Sequence, residues 1–212
     1  MNLSRRSLLL TMASAGVVGL PGQVVAQSAP EGEMVPIELF QDAQELDGLV
    51  RLGHPHGYVI MMEFFDYNCP WCKRSANDLE ALLKAESEVS YILVNFAILG
   101  AESVQATKIA LAFRELMGSD KYLPLHLALF KLKGTVNGER AIAEAVKLGA
   151  NQEKLLEIAN SQKIINQMTA ALRVGNSLGI NVTPSYILGN TSYAGGITLP
   201  EKLKIIAKAR EG

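Results

Sequence analysis

The stretch from Tyr58 to Arg74, YVIMMEFFDYNCPWCKR, most constrains how this chain can fold, because it contains the only two cysteines of the 212 residues. Its first half, residues 58–65, is a continuous run of aromatic, β-branched and Met residues, which predicts a strand buried on both faces. After Cys72, apolar residues return at helical spacing. The sequence therefore predicts a strand, a loop that carries Cys69 and Cys72, and a helix that begins at the dithiol.

The predicted position of Cys69 at a helix N-terminus favours its thiolate, which is the nucleophilic form. Unpaired backbone N–H groups and the helix dipole stabilise negative charge at that end. Pro70 fits the first helical turn because its missing N–H costs nothing there, and the two-residue spacing lets Cys69 and Cys72 close a small disulfide ring. Such a short ring constrains little of the unfolded chain, so the value of the pair is chemical rather than structural.

Glu63 is the one charged residue within the predicted buried strand. Burying a carboxylate without a partner is costly, so a carboxylate in that place indicates a function. A strand, a carboxylate and a helix N-terminus around a C-x-x-C pair favour a thiol-disulfide exchange centre. A structural disulfide and a zinc site are the alternatives, although only His54, His56 and His126 could complete the four ligands that structural zinc needs.

The segment EFFDYNCPWCK, with Glu63 six positions before Cys69, resembles the active-site segment of DsbA-like thiol:disulfide oxidoreductases of the thioredoxin superfamily. The second landmark of that family is a Thr-Pro or Val-Pro dipeptide with a cis bond that faces the dithiol. The segment GINVTPSYILGN supplies it at Thr183 and Pro184. The resemblance spans roughly residues 37–212.

This resemblance implies a catalytic pair, Cys69 and Cys72, with Glu63 as the proton acceptor or donor for Cys72. It also implies four supporting residues, which tune the dithiol or present backbone to a client peptide: Pro70, Trp71, Thr183 and Pro184.

The rest of the chain fits an α/β protein with the thioredoxin fold, a βαβ unit followed by a ββα unit. A second apolar strand, residues 89–99, follows the dithiol helix, which predicts a parallel, right-handed βαβ unit. Cys69 and Pro184 are 184 − 69 = 115 positions apart, and residues of about 101–178 show helical periodicity, which predicts a helical insertion. Two short strands and an amphipathic helix then complete a predicted domain over residues 35–212.

Residues 1–26 have the basic, apolar and small-residue regions of an export signal peptide. A pair of arginines in this segment also resembles the twin-arginine export motif, so export by the twin-arginine route or by the Sec route is possible. The alternative to a cleaved signal peptide is an uncleaved membrane anchor. Residues 27–34 are predicted to be a flexible mature N-terminus. We expect a first edge strand over residues 35–40 and a helix over residues 41–52.

Export to the periplasm would place the dithiol where disulfides form and persist. The sequence therefore predicts an enzyme that exchanges its Cys69–Cys72 disulfide with client protein thiols, without a cofactor. We expect an oxidase rather than an isomerase or reductase, because the roughly 25 residues between the predicted cleavage site and the first turn are too few for a dimerisation domain.

The predicted partners are client proteins with free thiols or disulfides and a redox partner that accepts electrons, such as a membrane quinone-linked oxidase. The net charge of −1 gives no support for nucleic-acid binding. A periplasmic metal carrier that uses the dithiol is the alternative of another class.

Overall fold

A computed structural model describes residues 30–211 of the protein. A six-stranded mixed sheet lies at the centre of this structure. The predicted signal over residues 1–26 lies outside the described residues. The strands are β1 (Glu33–Met34), β2 (Val50–Gly53), β3 (Val59–Phe65), β4 (Val89–Asn95), β5 (Ser185–Leu188) and β6 (Thr191–Ala194). The helices are α1 (Ile37–Gln44), α2 (Pro70–Ala85), α3 (Ala101–Met117), α4 (Tyr122–Lys131), α5 (Gly138–Lys147), α6 (Gln152–Ala159), α7 (Gln162–Ser177) and α8 (Leu199–Glu211).

The strand order is β1-β6-β5-β3-β4-β2, so the dithiol strand β3 lies inside the sheet. Strands β3 and β4 are parallel and are joined through α2, which is the predicted βαβ unit. Strands β5 and β6 form an antiparallel hairpin that leads into α8, which is the predicted ββα unit. The α/β thioredoxin fold predicted from the sequence is confirmed.

Strand β3 is apolar on both faces because helices cover both sides of the sheet. Met61 and Phe65 belong to a core shared with α2 and α8, whereas Met62 and Phe64 belong to a core shared with α1 and α7. Side chains alternate along a strand, so Glu63 faces the same side as Met61 and Phe65. The carboxylate is therefore directed to the side on which α2 carries the dithiol.

The helices α3 to α7 lie between β4 and β5, where the sequence predicted a helical insertion. The last part of the insertion is divided into two helices, α6 and α7. Ser161 is the reason, because its side chain accepts a hydrogen bond from the backbone N–H of Ile164 and caps a new helix. Among residues 30–211, none of the helices has both the length and the apolar character that a membrane crossing requires.

Three expectations for the N-terminal part were wrong. Residues 35–40 do not form an edge strand, because α1 begins at Ile37 and buries Phe40 and Ala43 at helical spacing. The helix expected over residues 41–52 ends at Gln44, and β2 follows as the edge strand beside β4. Glu33 and Met34, which were predicted to be flexible, pair with β6 as β1.

Candidate active site

Cys69 is the N-cap residue of α2, directly after the loop that follows β3. Its sulfur accepts a hydrogen bond from the backbone N–H of Cys72 across 3.3 Å, and Pro70 occupies the first helical turn. The sulfur thus satisfies one of the free N–H groups with which every helix begins. Both cysteines are free thiols, with 4% of Cys69 and 1% of Cys72 exposed.

The loop before β5 closes over the sulfur of Cys69. The Thr183–Pro184 peptide bond is cis, and the carbonyl oxygen of Thr183 lies 3.0 Å from the Cys69 sulfur. The structure therefore brings together Cys69, Thr183 and Pro184, as the sequence predicted. The register of β5 with β3, in which Ser185 is opposite Phe64, holds this loop beside the start of α2.

The surroundings of Cys69 lower the pKa of its thiol from 9.0 to about 6. The largest cause is the hydrogen bond from the Cys72 thiol, and the backbone N–H groups of Cys72 and Trp71 act in the same direction, while burial opposes them. The side chain of Thr183 also lowers this pKa, and its buried hydroxyl has no hydrogen-bond partner within residues 30–211. Cys69 is therefore largely a thiolate at neutral pH.

Cys72 shows the opposite behaviour, because its pKa is raised well above the ordinary value. Burial is the largest cause, followed by the hydrogen bond to Cys69 and the negative charge of Glu63. The two thiols interact directly, so they titrate as a coupled pair in which Cys69 loses its proton first. This asymmetry assigns different chemistry to the two sulfurs.

Glu63 is 3% exposed, as the sequence predicted, and it has a partner that the sequence did not reveal. The hydroxyl of Tyr91 on β4 donates to Glu63 Oε2 across 2.5 Å. A hydrogen bond to a buried carboxylate offsets part of the cost of removing that charge from water. Glu63 faces the side of the sheet on which Cys72 is buried, and its negative charge helps to raise the pKa of the Cys72 thiol.

Trp71 lies on the surface of the dithiol loop, with 53% of the residue exposed. One face of its ring lies against Gly196, in the turn before α8, where a Cβ would come within 2.6 Å of a ring carbon. The Arg74 guanidinium lies 5.7 Å from the ring centroid. The contact between the Trp71 ring and Gly196 packs the dithiol loop against the ββα unit.

Asn68 is a residue next to the dithiol that the sequence analysis did not identify. Its amide donates to Val136 O at 3.0 Å and to Ser103 Oγ at 2.9 Å, and its Oδ1 accepts from the backbone N–H of Val136 at 2.7 Å. These bonds connect the residue before Cys69 to the helical insertion. An Asn between a strand and a helix is a signal for such side-chain bonds to backbone.

Asp66 is a second residue that the sequence analysis missed, and it is completely buried. Its carboxylate accepts hydrogen bonds from the backbone N–H groups of Asn68, Ile98 and Leu99 and from the Ser103 hydroxyl, at 2.7 to 2.9 Å. The four donors satisfy the buried charge. Asp66 thereby holds the end of β3, the segment after β4 and the start of α3 in one arrangement.

His126 is buried in the core, and burial lowers its pKa to about 3. Its ring packs edge-on against Phe65 with the centroids 4.7 Å apart, and its Nδ1 lies 3.5 Å from the Tyr67 hydroxyl. A neutral, packed imidazole is a structural residue and not a general base at neutral pH.

The histidines considered for metal binding lie far from the dithiol along the sheet. His54 and His56 are in the turn before β3, whereas Cys69 follows the other end of that seven-residue strand. No three His, Cys, Asp or Glu side chains converge on a possible metal position within residues 30–211. The sequence-based idea that these histidines join the dithiol in a metal site has no geometric support.

A cavity of about 610 Å³ opens beside Cys69, between the dithiol loop and the insertion. Apolar side chains form much of its wall, including Leu99 and Val136, and Lys73 and Glu102 add charge at its edge. The residue Cys69 thus lines a space large enough for side chains of another polypeptide.

The fold and this site define a thioredoxin-fold protein with two free thiols at the start of a helix, beside a cis-proline loop. The sequence model of a family described as thioredoxin matches residues 45–208, which is more than three quarters of the chain, so the protein belongs to the thioredoxin family. It is an enzyme, a thiol-disulfide oxidoreductase of the DsbA type. No curated protein matches the sequence.

Solved structures of similar proteins agree with this assignment. A thioredoxin-like oxidoreductase from Silicibacter pomeroyi DSS-3 is 27% identical, with 81% of this chain and 98% of that chain covered and a TM-score of 0.75. The thiol-disulfide exchange protein alpha-DsbA2 from Wolbachia pipientis is 26% identical, with 81% and 92% covered and a TM-score of 0.73. A periplasmic thioredoxin-like protein from Salmonella enterica serovar Typhimurium, 21% identical, with 85% and 100% covered and a TM-score of 0.74, supports the fold alone.

Proposed function

We propose that this protein oxidises client protein thiols, with Cys69 as the residue that exchanges with the client and Cys72 as its buried partner. The observation that carries the proposal is the opposite shift of the two thiol pKa values, with that of Cys69 lowered to about 6 and that of Cys72 raised. A stable thiolate is both a good leaving group and a nucleophile at neutral pH. A thiol that is held neutral becomes a nucleophile only when a base takes its proton.

The oxidative reaction begins with the Cys69–Cys72 disulfide. A client thiolate attacks the sulfur of Cys69, a client–Cys69 disulfide forms, and the Cys69–Cys72 bond breaks, so that Cys72 leaves as a thiolate and takes up a proton through Glu63. A second client thiolate attacks the client sulfur of this mixed disulfide and expels Cys69 as a thiolate. The client is oxidised by two electrons and the dithiol is reduced.

The supporting residues have defined roles in this proposal. Pro70 allows α2 to begin next to Cys69, and the exposed Trp71 offers an apolar surface to the client. The backbone around Thr183 and Pro184 offers an extended client peptide an edge with which to pair. The two sulfurs carry both electrons, so the reaction requires no separate cofactor.

The low pKa of the Cys69 thiol is the reason for proposing an oxidase. Stabilising the Cys69 thiolate stabilises the reduced enzyme, which makes its disulfide more oxidising, at about 30 mV for each 1.4 kcal/mol. The reduced dithiol then needs an external acceptor, and a membrane quinone-linked oxidase is the class of partner that we propose. Export by the signal over residues 1–26 would bring the enzyme to the periplasm, where clients fold in an oxidising environment.

The reduction potential of the Cys69/Cys72 pair tests the direction of the reaction. Equilibration with glutathione should give a reduction potential of about −120 mV, close to that of strong oxidants, together with oxidation of a reduced client protein. A reduction potential of about −270 mV, as in thioredoxin, would assign the protein to the reductases instead.

A trapping experiment tests the roles of the two cysteines. Cys72→Ala should accumulate mixed disulfides with periplasmic proteins through Cys69, whereas Cys69→Ala should accumulate none. A metal carrier would behave differently, since both variants would lose metal binding and neither would trap a client.

A further inference from the structure

Lys202 is a buried lysine in the C-terminal helix α8, and the exchange reaction described above does not use it. It is only 1% exposed, although lysine is one of the residues least often found in protein interiors. Removing an ammonium group from water costs several kcal/mol unless other groups compensate for it. A lysine in this place therefore needs an explanation from its surroundings.

The ammonium group of Lys202 contacts three residues from three different elements. Its Nζ donates to Ser75 Oγ across 2.6 Å, and lies 4.7 Å from the ring centroid of Tyr186 and 5.9 Å from that of Tyr91. Within residues 30–211, no carboxylate oxygen lies within 4.0 Å of this nitrogen. The contacts are thus one hydroxyl and two ring faces rather than a direct ion pair.

All three contacts surround the carboxylate and the buried thiol of the dithiol site. Ser75 lies one turn after Cys72 on α2. Tyr91 donates its hydroxyl to Glu63, and Tyr186 is directly opposite Glu63 in the pairing of β5 with β3. The buried Tyr186 hydroxyl has no hydrogen-bond partner among the described residues. It is therefore available to donate or accept a hydrogen bond within this cluster.

Charge also connects Lys202 to this cluster. Burial lowers the pKa of Lys202, whereas the negative charges of Glu63 and Asp78 and that of the Cys72 thiolate favour its protonated form. The titratable groups around the ammonium are therefore Glu63, Cys72, Asp78, Tyr91 and Tyr186.

We propose that Lys202 is a positioning residue for proton transfer at Cys72, and that it acts through Glu63. Tyr91 lies against both groups, since its ring is near the Lys202 ammonium and its hydroxyl donates to Glu63, so the buried positive charge helps to fix Glu63 where it exchanges a proton with Cys72. This inference rests on the proposed function, because it assigns a role within the same exchange reaction. It makes the C-terminal helix α8 part of the reaction chemistry.

The step concerned is the attack of Cys72 on a mixed disulfide at Cys69. Glu63 accepts the proton of the Cys72 thiol, and the Cys72 sulfur attacks the Cys69 sulfur. The Cys69–Cys72 bond forms, and the bond between Cys69 and the second thiol breaks. The second thiol leaves as a thiolate with the electron pair of that bond, so the dithiol is oxidised and the leaving group is reduced.

A two-phase reaction with the aromatic disulfide 5,5′-dithiobis(2-nitrobenzoate) tests the proposal. In the reduced protein, Cys69 attacks first and releases one coloured thiolate, and Cys72 then releases the second. In Lys202→Met, we expect the second phase to be at least tenfold slower at pH 7 and its pH profile to move to higher pH. The first phase should stay within twofold of the natural protein, because the groups that lower the pKa of Cys69 do not include Lys202.

Lys208→Met is the matched control, because Lys208 lies on the exposed side of the same helix and should leave both phases unchanged. A second phase in Lys202→Met with the natural rate and pH profile would overturn the proposal. A natural protein that gives no second phase would instead contradict the exchange function itself, so the two failures are distinguishable.

A double variant covers the case in which Lys202→Met does not fold. Glu63→Gln with Lys202→Met removes both charges and leaves no unpaired carboxylate. Since Lys202 is proposed to act through Glu63, the double variant should give the same second-phase rate as Glu63→Gln alone. A further tenfold loss in the double variant would show that the lysine does not act through Glu63 and would overturn the proposal.

Discussion

The sulfur of Cys69 lies 3.0 Å from the carbonyl oxygen of Thr183, although 114 positions separate the two residues in the chain. A Cys69 thiol can donate to this oxygen, whereas the thiolate is held by donors from Cys72 and the start of α2. The contact brings the cis-proline loop to the reactive sulfur. It also leaves the backbone beside that loop in reach of any peptide bound to Cys69.

The thiolate of Cys69 should be measurable by its absorbance at 240 nm and by its rate of alkylation. Because the pKa lies below the ordinary value of 9.0, we expect both signals to rise with pH around a midpoint of about 6. Cys72→Ala removes the largest cause of the shift, so its midpoint should move toward 9.0. A natural midpoint near 9 would contradict the assigned chemistry.

This shift also predicts how the stability of the reduced protein depends on pH. A lowered pKa in the folded state adds stability that is fully present above the unfolded value of 9.0 and disappears as the pH falls through about 6. The stability advantage of reduced natural protein over Cys69→Ala should therefore shrink between pH 9 and pH 6. Urea unfolding at several pH values measures it, and an advantage that does not change with pH would count against the prediction.

Tyr91→Phe should destabilise the protein by about 1 to 3 kcal/mol, because it leaves the buried Glu63 carboxylate without its hydroxyl donor. The ring is kept, so no cavity of note is formed. Tyr58→Phe removes a hydroxyl from a residue that is 92% exposed, and it should change the free energy of unfolding by less than about 0.5 kcal/mol. Equal effects of the two substitutions in denaturant unfolding would contradict the role given to Tyr91.

Asn68→Ala should loosen the connection between the dithiol loop and the insertion. It removes two donated bonds and one accepted bond, to Val136 and Ser103, so we expect a loss of about 1 to 3 kcal/mol in unfolding free energy. Hydrogen exchange of the Val136 amide should become faster. Asn166→Ala on the exposed surface of α7 is the control and should leave both measurements unchanged.

Gly196→Ala should displace the ring of Trp71, because the added Cβ would lie 2.6 Å from a ring carbon. Trp71 is the only tryptophan of the chain, so its fluorescence reports the change directly. We expect a shifted emission maximum and slower exchange with client thiols. An unchanged spectrum would show that the turn before α8 adjusts without moving the ring.

Much of the fold could be predicted from local patterns. The continuous apolar run of β3, the helical spacing after Cys72 and the hairpin after Pro184 each correspond to an observed element. The N-terminal part was predicted less well, because β2 has only four residues and its burial alternates over too few positions to give a clear period. Whether such a short segment becomes a strand depends on the neighbouring edge of β4, which is distant in sequence.

By itself, the sequence determined where the residues of the proposed site lie along the chain: two thiols at a helix start, a carboxylate in a buried strand and a Thr-Pro pair ahead of another strand. The tertiary structure alone decided which groups surround them, since Tyr91, Asn68 and Lys202 make their contacts through strand register and helix packing. Local periodicity reports which face of an element is buried, but it carries no information about which distant side chain will lie opposite that face. The electrostatic surroundings of the dithiol are therefore a product of packing, because they depend on distances between residues that only the folded chain brings together.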